Sequence, residues 1–380
     1  MSLSAICRDP RSVALYFQRL DRAGGGAERM LCQLANALVA RGGRVHVVSW
    51  DAPGATSFYP LGPGVRWHRL GFAPGWADKA RRLGALFRVL RDNRVATLAG
   101  FVMAGDMTVF VAARRAGVRL VAAERNGPTM YRHLYSPGRR WINLSLLRMA
   151  DRILVQSSDF VVGYPTSLRR RMEVLPNPVR TATRLANPLC PGPEGRRVAL
   201  CVGRLDPVQK RPGLLVAAFA RIAQRHPDWD LHLLGCGPAR ADLAAQIAAA
   251  GLQRRVQIRP TTKQVAAAYC GAHLFVLPSL WEGFPNAMAE AMSHGLPALT
   301  LAGAEGAAAL CQRGGGWVVE GLPEVAALAE GLSTAMSDPQ ELARRGAAAS
   351  AAMTDFAPDV IHDRWGEILL RSDAGMEGRT

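Results

Sequence analysis

Glu282 and Glu290 stand eight residues apart in the stretch PSLWEGFPNAMAEAMSHGLP, which runs from Pro278 to Pro297. An ionised carboxylate offers two acceptor oxygens, so each can hold a pair of adjacent hydroxyls. The flanking sequence decides where they sit. Leu274-Phe275-Val276-Leu277 is an apolar run of strand length. Pro285 stands where the first-turn proline of a helix would sit, with Asn286 beside it. Ala287 to Met292 are strong helix formers, and Gly295 and Pro297 suit the stop. This order puts Glu282 in a loop over the carboxyl end of a sheet, where ligands of open α/β sheets bind. Glu290 lies about a helical turn further on, on the same approach. The backbone of Gly283, Phe284, Pro285 and Asn286 leads into the helix N-terminus, an anion site that needs no side chain. Hydroxyls, a phosphate, then more hydroxyls describe a sugar nucleotide. For two glutamates taken singly, a capping acid and a solvated helix acid are the plain alternative.

Two cations complete the set. Val198-Ala199-Leu200-Cys201-Val202-Gly203 reads as a buried strand, and Arg204 and Lys210 follow it in GRLDPVQKRP. A pair of cations at a strand end suits a diphosphate. Lys210 is one of only three lysines (79, 210, 263) beside 44 arginines, which suggests a need for a compact ammonium. A solvated loop is the alternative. Asp228-Trp229-Asp230 spells a metal-holding D-x-D, but it lies at a strand's start, the wrong end for a site, and reads as an ordinary turn. No metal or other cofactor is expected.

The first half repeats the strand–loop–helix pattern. Val13 to Phe17 is a strand, Gly24-Gly25-Gly26 a loop, and Met30, Leu31, Leu34, Leu38 and Val39 line one side of a helix before the strand Val45 to Val48. Glycines let backbone approach a ligand closely, so Gly25 and Gly26 are phosphate-binding candidates. A plain turn is equally compatible. The spacing fits neither a P-loop nor a G-x-G-x-x-G dinucleotide site. Glu124 and Arg125 follow the strand Leu120 to Ala123 and are substrate-contact candidates by their place at its carboxyl end.

The length of 380 residues implies two domains, and 49% hydrophobic with 20% charged residues is globular composition. Seven scattered cysteines without C-x-x-C spacing argue against disulfides and zinc, hence for a reducing, cytoplasmic setting. No apolar run reaches the ~18 residues of a membrane span, and no apolar h-region follows the start. The net charge of +17 is uneven: residues 1–178 hold 27 basic and 11 acidic side chains, residues 179–380 hold 20 and 19. Nucleic acid or an anionic membrane could answer such charge. Aromatics are 7% and no nucleic-acid-reading motif is visible, which favours the membrane. The stretch Trp76 to Arg94 is the most basic helical segment, with Trp76, Leu83, Leu86, Phe87 and Leu90 on one face and Lys79, Arg81, Arg82, Arg88, Arg91 and Arg94 around the rest. A domain helix with its apolar face in the core is the alternative. Arg169-Arg170-Arg171 would extend the basic face.

The string EGFPNAMAEAMSHGLP closely resembles the E-x7-E signature of the retaining family 4 glycosyltransferases. GRLDPVQK resembles that family's diphosphate-binding GRL…K segment, GGAER its first-loop motif, GCGP its G-x-G-P turn and LPNPV its hinge. Where members carry Ser-Glu-His or Ser-Glu-Arg-Asn, this chain has Ala123-Glu124-Arg125-Asn126, without the serine or the histidine. The resemblance covers nearly the whole chain. It implies an α/β fold of the GT-B type, two Rossmann-like doubly wound domains facing a central cleft. The expected boundaries are an acceptor-side domain at 1–178, a hinge at 179–195, a nucleotide-sugar domain at 196–355, and a terminal helix and tail at 356–380 that cross back to the first domain. Arg204 and Lys210 would stabilise the leaving diphosphate with Glu282 holding the sugar, as the catalytic set. Glu290 would hold the ribose, and Lys263 lies in the loop that seats the base. The implied reaction moves a hexose or N-acetylhexosamine from a nucleotide sugar, UDP favoured over GDP, to a saccharide or lipid-linked acceptor in polysaccharide assembly. The expected setting is peripheral, on the inner face of the plasma membrane. A non-catalytic sugar-nucleotide-binding protein on the same fold is the alternative.

Overall fold

Short apolar strands that read as continuous runs need cover on both faces, and parallel sheets flanked by helices provide it. The computed structural model describes residues 8–370 except 22–24, 73, 74, 76, 102, 105, 261 and 263. Among these, thirteen strands gather into two sheets, and every pairing is parallel.

The first sheet holds β1 (Asp9–Tyr16), β2 (Arg44–Ser49), β3 (Val65–Arg69), β4 (Val95–Phe101), β5 (Arg119–Ala123), β6 (Arg152–Val155) and β7 (Met172–Val174) in the order β3-β2-β1-β4-β5-β6-β7. The second holds β8 (Arg197–Val202), β9 (Trp229–Leu234), β10 (Val256–Arg259), β11 (Leu274–Leu277), β12 (Ala298–Leu301) and β13 (Gly316–Val319) in the order β10-β9-β8-β11-β12-β13. In each, the winding reverses beside the first strand: between β1 and β4, and between β8 and β11. These switch points leave a crevice at the carboxyl ends of the strands, where ligands of such sheets bind.

The chain divides into two compact units, one reaching to Pro178 and resuming at Asp359, the other spanning Val179–Pro358. The helix Pro358–Leu370 explains the return. Its Ile361, Trp365, Ile368 and Leu369 pack among Val13, Leu15, Leu34, Phe101 and Val121, and Trp365 stacks on Phe101 with centroids 5.6 Å apart. Arg119 donates to the carbonyl of Ile368 (2.7 Å), and Arg364 to that of Val174 (2.7 Å). Phe356, which shares the spacing in sequence, packs in the second unit with Phe284 and Met353. The stretch at 179–195 is not a free connector. Its first amide, Val179, bonds the carbonyl of Phe356 (2.7 Å), and Ala186 bonds that of His294 (2.7 Å), so the segment lies along the second unit.

The basic helix starts at Lys79 and ends at Asp92, and Trp76 lies outside the described residues. Leu86 and Leu90 are buried, and so is Arg82, expected among the solvated arginines. Its guanidinium lies 4.6 Å from the centroid of the Trp50 ring and donates to the carbonyl of Gly75 (3.2 Å). A cation over an aromatic face keeps part of its stabilisation when desolvated, which accounts for the burial.

Candidate functional site

Three loops meet at the carboxyl ends of β8, β9 and β11, beside the switch point of the second sheet. Glycines allow the first approach. A Cβ at Gly235 would lie 1.9 Å from the carbonyl oxygen of Gly203, and one at Gly237, at φ +159°, 2.5 Å from that of Leu205. The loops after β8 and β9 are therefore joined backbone to backbone: Leu205 N–H to Cys236 (2.9 Å) and Ala239 N–H to Leu205 (3.0 Å).

The β8 loop is also tied to the β11 loop. Leu280 N–H bonds the carbonyl of Gln209 (2.8 Å), the Gln209 amide donates to the carbonyl of Trp281 (3.3 Å), and Arg211 donates to that of Pro278 (3.1 Å) and to Glu324 (2.7 Å). Arg211 has φ +47°, a left-handed conformation that costs a non-glycine residue roughly 1–2 kcal/mol. Those contacts hold it there, immediately before the helix Pro212–Ile222.

This tethering brings Lys210 and Glu282 into direct contact. The Lys210 ammonium donates to Glu282 Oε1, which also accepts from Ser279 Oγ (2.6 Å). Glu282 is buried and Lys210 half-buried. An ammonium carries three donors, so one bond to Glu282 leaves it able to serve an anion as well. Arg204 is exposed on the same loop and bonds Gln209 (2.9 Å), with Asp206 at 3.9 Å. Cys201, buried beneath, has its thiol pushed up to about 12 by burial and is held in the neutral form.

The helix after Glu282 is Asn286–Ser293, with Pro285 as its cap residue instead of the first-turn proline expected. Asn286 N–H bonds the carbonyl of Phe284 (2.9 Å), and proline has no N–H, so neither amide points outward. Phe284 itself is a core side chain, 5.5 Å from the Phe356 ring. These three residues thus shape the turn, while the anion-facing amides would come from the helical turn that follows. Gly283 is buried in the same turn. Gly295, at φ +77°, closes the helix as expected. Glu290 is half-buried and accepts from the Tyr269 hydroxyl (3.2 Å). Lys263 lies outside the described residues. Asp228 and Asp230 are held by arginines: Asp228 by Arg197 (3.0 Å), Asp230 by Arg196 (2.5 Å) and Arg255 (3.2 Å).

In the first unit, Gly25 caps the helix Gly26–Ala40 in an extended conformation after β1, beside the other switch point. Gly24 lies outside the described residues. Glu124 and Arg125, the substrate-contact candidates after β5, are both buried. Glu124 accepts from the hydroxyls of Tyr131 (2.7 Å) and Tyr164 (3.1 Å), and burial raises its carboxyl above the usual range. Arg125 lies beside the stacked Phe101 and Trp365 rings, 5.6 Å from each centroid, and donates to Asn177 (2.8 Å). Burial lowers its guanidinium to about 10.

Sequence reasoning missed Ser279, Gln209 and Tyr269. Ser279 stands three residues before Glu282 in the same string. Tyr269 sits on a separate helix, Val265–Cys270, and its contact with Glu290 has no signal in local spacing.

Residues 25–178 match the glycosyl transferase 4-like domain, and residues 191–352 match glycosyl transferases group 1. The chain belongs to the glycosyltransferases built from this pair of domains, and its two Rossmann-like parallel sheets are those of the GT-B fold. Among similar proteins is the GalNAc-α-(1→4)-GalNAc-α-(1→3)-diNAcBac-PP-undecaprenol α-1,4-N-acetyl-D-galactosaminyltransferase of Campylobacter jejuni, 22% identical over 91% of this chain and 95% of that one. Among solved structures, the sucrose-phosphate synthase of Thermosynechococcus elongatus superposes with a TM-score of 0.77 at 20% identity, covering 94% of this chain and 98% of that one. The Anabaena HepE protein, solved with UDP and glucose, gives 0.72 at 18% identity over 94% and 99%. The chain spans less than half the length of five other curated relatives it matches, from 16% to 47% of each.

Proposed function

We propose that this chain transfers a hexose or N-acetylhexosamine from a nucleoside-diphosphate donor to a lipid-linked saccharide in glycan assembly, with retention at the anomeric carbon. The observation that carries this reading is the contact of Lys210 with Glu282 across the β8/β11 switch point, with Arg204 exposed on the same loop. As the bond from the anomeric carbon to the diphosphate oxygen breaks, the leaving group takes the electron pair. Cations already in place stabilise that state more than the bound donor. Glu282, turned by Ser279 and Lys210, accepts from sugar hydroxyls, and Glu290 from the ribose. Arg204, Lys210 and the helix amides supply the positive charge, and no metal is invoked. Uridine is preferred to guanosine because HepE was solved with UDP and glucose. The lipid-linked acceptor rests on the name of the Campylobacter relative and on the basic first half of the chain, which suits the cytoplasmic face of an anionic membrane.

The test is thermal stabilisation by a panel of nucleoside diphosphates. A ligand at 100 times its dissociation constant adds about 2.7 kcal/mol. UDP is expected to stabilise wild type, and Lys210→Ala and Glu290→Ala to lose most of the shift. Absence of any nucleotide shift in wild type would sink the donor assignment. A shift without transfer to any saccharide would favour a sugar-nucleotide-binding protein instead.

A further inference from the structure

We infer that the helices Met130–Leu134 and Pro137–Leu146 form the surface on which the first unit meets an anionic lipid bilayer. This deepens the lipid-linked reading of the acceptor and rests on it. The basic helix Lys79–Asp92 is the first candidate from sequence, but Leu86, Leu90 and even Arg82 are turned into the core. The helix Pro137–Leu146 is the opposite case. Asn143 is its one buried residue, while Trp141 is 68% exposed and Ile142 51%, and Leu134 on the preceding helix is 54% exposed. A helix that serves a domain core buries an apolar stripe of about three or four residues per two turns. This one leaves its largest apolar side chains in solvent.

Charge selects the occupant. Residues 126–150 hold four arginines and no aspartate or glutamate. Arg132 and Arg139 are exposed, and Arg139 lies 5.7 Å from the centroid of the Tyr135 ring, between the two helices. Tryptophan and isoleucine tips flanked by arginine match a headgroup layer: the apolar tips enter the acyl boundary and the guanidiniums take lipid phosphates. A second copy fits poorly, because a two-fold contact would set arginines against arginines. A nucleic acid would use the arginines but give Ile142 and Leu134 nothing to bury against.

Flotation with vesicles tests this. Wild type is expected to float at low ionic strength with phosphatidylcholine vesicles containing phosphatidylglycerol, and not with phosphatidylcholine alone. Trp141→Ser/Ile142→Ser is expected to cut the bound fraction roughly tenfold, as is Arg139→Gln/Arg140→Gln. Arg81→Gln/Arg88→Gln removes the same charge from exposed positions of the other helix and is expected to bind as wild type does. The inference is overturned if wild type does not float with the anionic vesicles, if the Trp141/Ile142 variant floats unchanged, or if only the Arg81/Arg88 variant is impaired. The UDP-induced thermal shift, read on the same preparations, separates the two claims. A UDP shift without flotation rejects this surface alone, whereas flotation that depends on Trp141 without a UDP shift rejects the donor assignment alone.

Discussion

Glu282 receives Ser279 and Lys210 at one oxygen, so its orientation depends on two loops far apart in sequence. The placing of Lys210 and Glu282 in loops after strands, and of Glu290 on the helix that follows, was legible because apolar runs and helix formers mark those elements. Their partners were not, since Tyr269 and Ser279 act through tertiary placement. Glu124 and Arg125 mark the limit of that reasoning. Their place after a strand was readable, but not that Tyr131, Tyr164, Phe101 and Trp365 enclose them. A different residue pair contributes to the acid stability, beside His232, whose imidazole burial also lowers to about 4. His46 Nδ1 lies 3.0 Å from His68 Nε2. Burial first, then His68, Arg66 and Arg44, lower the His46 imidazole to about 4 from its ordinary 6.5. Below pH ~6.5 the unfolded chain takes up a proton that folded His46 refuses, so stability present above that pH falls as pH drops toward ~4. The lowering corresponds to something on the order of 3 kcal/mol. Urea midpoints of wild type are expected to fall across that window, and His46→Gln to flatten the fall. An unchanged slope in the variant would assign the acid sensitivity elsewhere.

At the scale of elements, strands and helices were readable wherever an apolar run or a 3.6-residue period was strong, as in β11 and the helix Gly26–Ala40. Two features escaped. The burial of Arg82 requires the Trp50 ring, which no periodicity reveals. The loop after β9 was legible as a glycine turn, but not as the surface against which the β8 loop is laid. That contact has a consequence for the site. A Cβ at Gly235 would meet the Gly203 backbone, which has no flexible end to yield, so Gly235→Ala must part the two loops. On the proposed donor reading, displacing the β8 loop by even ~1 Å would move Lys210 out of register with the donor phosphate, a misplacement that typically costs about 100-fold in rate. The expected result is a loss of UDP stabilisation larger than the loss of melting temperature in the unliganded protein. Equal losses would mean that Gly235 matters for folding alone.

For the molecule as a whole, composition indicated two domains and an uneven charge, but not how the chain is shared between them. The first unit is discontinuous: its sheet comes from the first 178 residues, while Ile361, Trp365, Ile368 and Leu369 enter its core from the far end of the sequence. Each buried apolar side chain of this size contributes about 1.5–3 kcal/mol. Four together rival the 5–15 kcal/mol that holds a typical domain folded. Among the described residues, the two hydrophobic clusters of the second unit, Val179–Pro358, include no side chain of that helix. Ending the chain after Pro358 is therefore expected to act on one unit and spare the other. Calorimetry of the shortened chain should keep one cooperative transition near that of wild type, still raised by UDP, and lose or sharply lower the second. Because Arg125 lies against Trp365, the single substitution Trp365→Ala is expected to act in the same direction, at about 3–5 kcal/mol. If truncation instead abolished both transitions, or removed the UDP response, the two units would have to fold as one, and the donor site could not be a property of the second alone.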